Sequence, residues 1–147
     1  MDLLNKILLI LHFLGLAMGL SASFGNMVMM GLVAKAAPAE KPVLGRFPPA
    51  ISRVGSMGLA LLWITGLSML FTRWGGFANL GNMPWQFHLK LTLVVILSGL
   101  VGFMQTLLRR VQKGDTAAMA TLPIVGRVAF VTVLAIVTCA VFAFSGF

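Results

Sequence analysis

The stretch ILLILHFLGLAMGLSASFGNMVMMGLVA, residues 7–34, decides the fold class of this chain. It contains no Asp, Glu, Lys or Arg, and it is longer than the roughly 20 apolar residues that a helix needs to cross a bilayer. Stretches of the same kind recur along the chain, and the predicted helices span about 4–33, 51–72, 87–108 and 124–147. We therefore predict an all-α integral membrane four-helix bundle that forms a single domain over residues 1–147.

The composition agrees with a protein that lies in lipid. Of the 147 residues, 59% are apolar and only 10% are charged. A soluble domain of this size exposes a large share of its surface, and so few charges would not cover that surface. The net charge of +8 would suggest nucleic acid in a soluble protein, but the basic residues cluster between apolar segments. We therefore expect a lipid bilayer as the partner, and no nucleic acid.

The basic residues also predict an orientation in the membrane. The connections at 35–50, 73–86 and 109–123 are short, so neighbouring helices should run antiparallel in an up-down topology. The first and third connections, with their margins, carry Lys35, Lys41, Arg46, Arg53, Arg109, Arg110, Lys113 and Arg127. The second has only Arg73. The positive-inside rule then puts both termini on the outer, periplasmic side of a multi-pass protein in the bacterial inner membrane.

Few side chains within the predicted spans can carry chemistry. The acidic residues Asp2, Glu40 and Asp115 all fall outside the apolar cores, which excludes a carboxylate proton relay inside the bilayer. Cys139 is the single cysteine, so no intrachain disulfide forms. The remaining candidates are basic or neutral, and they are His12, His88, Lys90, Asn5, Asn26, Gln105 and Arg127.

Small and polar residues form a stripe on each of two predicted helices. On the first helix the stripe contains Asn5, His12, Gly15, Gly19, Ser23 and Asn26. On the third helix it contains His88, Thr92, Val95, Gly99, Gly102 and Thr106. These residues recur at helical spacings, and we expect the two faces to meet inside the bundle.

The predicted topology places His12 and His88 in the same outer leaflet. Two imidazoles on facing helices can hold a haem iron, although each histidine could instead hydrogen-bond a neighbouring helix without binding anything. Lys90 has two interpretations as well, a functional ammonium or a side chain that lifts its charge to the headgroups. In a regular helix His88 and Lys90 point to nearly opposite faces, so sharing one pocket requires an irregular start or a curled lysine stem.

Several short motifs carry a family resemblance that spans most of the chain. They are Leu11-His12, Ser23-Phe24-Gly25, Gly66, Trp85-Gln86-Phe87-His88-Leu89-Lys90-Leu91 and Arg109-Arg110. Together they resemble the HemJ-type protoporphyrinogen IX oxidases and the related CopD-like four-helix membrane proteins.

The resemblance implies a function and assigns two residues. In the HemJ-type family the functional positions are a helix-one histidine and a helix-three lysine after a tryptophan, which correspond to His12 and Lys90. The expected activity is oxidation of protoporphyrinogen IX to protoporphyrin IX with haem b as cofactor. His12 would hold the iron, with His88 as the second ligand that the predicted topology offers, Lys90 would act catalytically, and electrons would pass to a membrane acceptor.

Two alternatives to an enzyme stay open. The chain could be a haem-b electron carrier without substrate chemistry. It could also be a small structural subunit or assembly factor of a larger membrane complex, or associate with itself, which needs no cofactor.

Overall fold

The computed structural model describes residues 2–144, with side chains as far as Phe142. The α-helices are α1 (Leu3–Lys35), α2 (Lys41–Leu44), α3 (Phe47–Trp74), α4 (Trp85–Gln112) and α5 (Thr116–Phe144), and the 3-10 helix Gly76–Asn82 joins α3 to α4. Four helical segments are long and apolar enough to cross a membrane, namely Leu3–Lys35, Lys41–Trp74, Trp85–Gln112 and Thr116–Phe142. The all-α fold with four apolar helices of membrane-spanning length is thereby confirmed, whereas the orientation of the termini stays a prediction.

The predicted start of the last helix at residue 124 is wrong, because α5 already begins at Thr116. The Asp115 carboxylate accepts a hydrogen bond from the backbone N–H of Ala118 at 3.0 Å, which caps the first turn. Pro123 lies inside the helix instead of ending it. Such prolines are tolerated in membrane helices because neighbouring groups satisfy the freed carbonyl. The last predicted residues, 145–147, lie outside the described part of the chain.

The start of α3 also precedes the predicted residue 51. Pro48 and Pro49 occupy its first turn, where a missing backbone N–H costs no helical hydrogen bond. Of the two basic connections, the one that joins α4 to α5 contains only residues 113–115. The other contains the short helix α2. The sequence prediction therefore made both of these connections too long.

The long helices pack as two close pairs, α1 along α3 and α4 along α5, and α1 also contacts α5. The α1–α3 pair is held at backbone distance by glycines. A Cβ atom added to Gly58 would lie 2.7 Å from the carbonyl oxygen of Gly15 and 2.9 Å from the nitrogen of Gly19. Small residues of this kind are what membrane helices need to approach closely. Since α3 and α4 also touch, α1 and α4 lie diagonally across the bundle.

Large apolar side chains form the contact between α4 and α5. One buried cluster contains Met104, Leu107, Leu108, Ala118, Leu122 and Val125. A second contains Leu97, Ala129, Val133 and Ile136. The outer surface is equally apolar, with Phe13, Ile64 and Val131 each more than half exposed. An apolar exterior around an apolar core suits a bundle surrounded by lipid.

Candidate functional site

His12 is anchored to α3 by one nitrogen of its ring. Its Nδ1 atom lies 2.8 Å from the hydroxyl oxygen of Thr65, which is only 1% exposed. The Thr65 hydroxyl donates its one hydrogen to the carbonyl of Leu61 at 2.6 Å, so it accepts from the N–H of His12. The same Thr65 hydroxyl also lies 3.4 Å from the carbonyl of Leu62. We therefore assign the proton to Nδ1, which leaves the lone pair on Nε2.

Gly66 makes room for the His12 ring. A Cβ atom added at Gly66 would lie 3.4 Å from Cε1 of the imidazole, so the ring rests against the backbone of α3. One end of the same interface carries a further polar contact, in which the Thr72 hydroxyl donates to Oδ1 of Asn5 at 2.8 Å. The polar stripe of α1 thus packs against α3. The expectation that it meets the stripe of α4 is wrong.

The stripe of α4 lies on the outside of the bundle. All of its members are exposed, namely His88, Thr92, Val95, Gly99, Gly102 and Thr106. A Cβ atom added to Gly99 or Gly102 would meet nothing within 4 Å. The opposite side of α4 carries Leu97, Met104 and Leu107, which are buried against α5. On α4, therefore, the large apolar side chains face the core and the small residues face outward. From the sequence we expected the small residues to face inward, as is common where membrane helices pack closely.

Lys90 of α4 interacts electrostatically with His12. Helix α4 begins at Trp85, and residues two positions apart on it point about 200° from each other. Lys90 is partly buried, and its ammonium lies within electrostatic range of the His12 ring. His88 is exposed, and the centroid of its ring lies 6.1 Å from that of the neighbouring residue Phe87. His88 and Lys90 therefore lie on different sides of α4.

The donor set at His12 fits one axial ligand of a haem. A histidine that keeps a lone pair on Nε2 while Nδ1–H is held by a fixed acceptor is the arrangement typical of metal-ligating histidines. Among the side chains of residues 2–142 no group of three or more His, Cys, Asp or Glu converges. His88 is exposed, and its role as a second ligand stays a prediction.

Further polar contacts connect α3 to α4. The side-chain amide of Gln105 donates to the hydroxyls of Ser52 at 3.2 Å and Ser56 at 3.0 Å. The indole N–H of Trp63 donates to the hydroxyl of Ser98 at 2.9 Å. These bonds hold together two helices whose backbones touch over a short distance only. Arg127, in contrast, is exposed, as expected for a residue that marks topology.

Thr65 is the site residue that the sequence prediction missed. In the sequence, Thr65 does not differ from an ordinary residue of an apolar helix, because threonine hydroxyls in such helices usually donate a hydrogen bond to a carbonyl of the same helix. The depth of Thr65 in the predicted bundle could have identified it. In an antiparallel pair His12 and Thr65 lie at the same level, since each is nine residues from the adjoining ends Leu3 and Trp74.

The candidate site thus consists of His12 on α1 and Lys90 on the diagonal helix α4, with Thr65 and Gly66 of α3 as the support of the imidazole. The arrangement offers one basic nitrogen and one ammonium group in a partly buried setting. Comparison with protein-family models, curated proteins and solved structures finds no match for this chain.

Proposed function

We propose that the chain is a haem-b-binding membrane oxidoreductase of the HemJ type, which oxidises protoporphyrinogen IX to protoporphyrin IX and passes electrons to a membrane acceptor. The observation that supports this best is the polar pair of His12 and Lys90. His12 keeps its Nε2 lone pair free because Thr65 holds Nδ1–H, and the Lys90 ammonium lies within electrostatic range. We place the protein in the bacterial inner membrane with both termini outside, as the basic connections favour.

His12 is the proposed axial ligand of the haem iron. The iron of a bound haem b would supply the electron-accepting chemistry. The chain's own contribution is to fix the imidazole in the tautomer and orientation that ligation needs, through the Thr65 hydroxyl and the flat seat at Gly66. Because His88 is exposed on the other side of α4, we assign the ligand role at this site to His12 alone.

Lys90 is the proposed catalytic residue that contacts substrate. Protoporphyrinogen IX carries two propionate carboxylates, and an ammonium group can pair with one of them through a charge-assisted hydrogen bond. Such a pair gains strength where water is scarce, as around a partly buried lysine within an apolar span. Lys90 would hold the substrate at a fixed distance from the His12 side of the bundle.

One observation favours a second candidate, a non-catalytic subunit of a larger membrane complex. The α4 stripe is exposed, and the open space at Gly99 and Gly102 would let another membrane helix approach closely. This function requires neither His12 nor Lys90. Loss of the neighbouring subunits from the membrane when the chain is deleted, without accumulation of porphyrinogen, would support it.

The test of the proposed function is spectroscopic and then genetic. Purified protein should show a Soret band that shifts on dithionite reduction, and His12→Ala should remove most of the haem while His88→Ala, the matched control, retains it. The gene should also restore growth to a strain that lacks protoporphyrinogen oxidase. A colourless, folded protein would defeat the haem proposal, and a coloured protein that fails to complement would indicate an electron carrier.

A further inference from the structure

A partly enclosed cavity of about 40 Å³ lies where the four long helices meet. Asn26 of α1, Ser52 of α3, Met104 of α4 and Gly126 of α5 all line it. Asn26 follows His12 by four turns of α1, which places the cavity about 21 Å along the helix from the His12–Lys90 site. The cavity is therefore a separate feature of the bundle.

Two of the residues that line the cavity carry a polar group whose hydrogen-bonding capacity is not met by the described part of the protein. Oδ1 of Asn26 is buried and has no hydrogen-bond partner among residues 2–144. Ser52 is only 6% exposed, and its hydroxyl oxygen accepts a bond from Gln105 at 3.2 Å. No acceptor for the hydroxyl hydrogen of Ser52 is found within that same range of residues. An acceptor and a donor thus line one cavity, and both would be costly to leave unmet in an apolar bundle.

We infer that this cavity is a water-binding site, in which water donates to Oδ1 of Asn26 and accepts from the hydroxyl of Ser52. A water molecule needs roughly 10–15 Å³ of cavity volume and two to four polar partners, so the cavity of about 40 Å³ can hold more than one water molecule. Ser23 adds a further acceptor, because its hydroxyl donates to the Gly19 carbonyl at 2.9 Å and keeps its lone pairs.

Water fits the lining better than a cation does. Among the described residues that line the cavity there is no carboxylate, and their side-chain oxygens belong to Ser23, Asn26 and Ser52. A divalent cation such as Ca²⁺ takes six to eight oxygen ligands, which commonly include carboxylates. A bound water would connect α1 to α3, and through the bond of Ser52 to Gln105 it would also connect α1 to α4, which lies diagonally opposite.

The direct test is water-edited solid-state NMR on the nitrogen-15-labelled wild-type protein in bilayers. Magnetisation transfer from water protons to the Asn26 side-chain amide is measured, with that amide assigned through its own backbone. Asn79, exposed in the 3-10 helix, is the wet reference, and the indole N–H of Trp63, bonded to Ser98, is the dry one. We expect a transfer rate close to that of Asn79. A rate as low as that of Trp63 would overturn the proposal.

A measurement of thermal stability tests the proposal independently, because the proposal predicts the sign of the change in melting temperature. Asn26→Leu removes the carbonyl at similar volume. If water satisfies that carbonyl, the variant should lower the melting temperature by roughly 2–4 °C, whereas loss of an unsatisfied carbonyl in a dry or acyl-chain-filled cavity should raise it. Ser52→Ala in the Asn26→Leu background should then cost less than in wild type, because the bridge is already broken. Strictly additive losses would contradict a shared water.

Discussion

The hydroxyl of Thr65 lies 2.8 Å from Nδ1 of His12, and this bond determines which nitrogen of the ring is free. Thr65→Val keeps the shape of the side chain but removes the acceptor. Because groups that orient a ligating histidine typically change affinity by about 10- to 100-fold, we expect haem affinity to fall by that factor while the helix still inserts. Titration of the apoprotein with haem, followed at the Soret band, measures the change.

Thr72→Val is the matched control for this experiment. It removes a similar hydrogen bond between the same two helices, from Thr72 to Asn5, at 2.8 Å. We expect unchanged haem affinity, because this bond does not touch the His12 ring. An equal loss in both variants would mean that Thr65 acts through helix packing and not through the imidazole.

The close approach of α1 and α3 at Gly58 gives a prediction about stability. A Cβ atom there would lie within 3 Å of Gly15, Met18 and Gly19, two of these contacts being to rigid backbone. Gly58→Ala should therefore push the helices apart and cost about 1–3 kcal/mol of unfolding free energy. Thermal unfolding in detergent, followed by tryptophan fluorescence, measures the loss.

Gly99→Ala provides the comparison. It places the same methyl group on α4, where nothing lies within 4 Å. We expect a change within about 0.5 kcal/mol, as is usual for surface substitutions. A large destabilisation at Gly99 would indicate that the exposed α4 stripe is covered by another helix, as the second candidate function requires.

Some features of the fold could be predicted from the sequence and others could not, because a lipid environment removes the difference in polarity between the core and the surface. The four spans follow from their length and apolarity, because the bilayer demands both. The inward side of α4 could not be predicted, since lipid and core are equally apolar and the stripe from His88 to Thr106 gives no sign of direction. The start of α5 was missed because Pro123 reads as a connection in soluble proteins, whereas Asp115 sets the actual start.

The cap at Asp115 predicts a pH dependence of stability. The backbone N–H of Ala118 and then the Arg110 side chain, 2.7 Å away, hold the pKa of this carboxyl below its usual range. A lowered pKa means that the carboxylate stabilises the fold above the unfolded value of about 3.9, and that this is lost as the pH falls through the folded value. We expect Asp115→Ala to lower the melting temperature at pH 7 and the difference from wild type to shrink below about pH 4.

Asp115→Asn separates the cap from the charge. Asparagine can still accept the bond from Ala118, but it cannot form the ion pair with Arg110. Its melting temperature at pH 7 should fall between those of wild type and Asp115→Ala. An alanine variant as stable as wild type at pH 7 would show that the cap contributes nothing in the membrane.

The orientation of the bundle is testable with reporter fusions. Basic residues flank the α1–α3 and α4–α5 connections, and only Arg73 flanks the connection between α3 and α4. We therefore expect periplasmic phosphatase activity from a fusion after Gly81 and none from a fusion after Gly114. The reverse pattern would invert the assignment of both termini and move the His12–Lys90 site to the cytoplasmic leaflet.

Lys90 allows the sharpest distinction between a site residue and a lysine that reaches the headgroups. A lysine that only lifts its charge to the surface needs a long stem and any cation, so Lys90→Arg would be silent. A lysine that binds a carboxylate near His12 is a compact ammonium, and the planar, bulkier guanidinium should impair haem binding or oxidation. Lys90→Met removes the charge at similar length and should accumulate normally in the membrane.

Lys35→Met is the matched control, because Lys35 is exposed in the last turn of α1, and we expect it to be silent. We expect both Lys90 variants to lose complementation of the strain without protoporphyrinogen oxidase, and full complementation by Lys90→Met would remove Lys90 from the site whatever the arginine variant does.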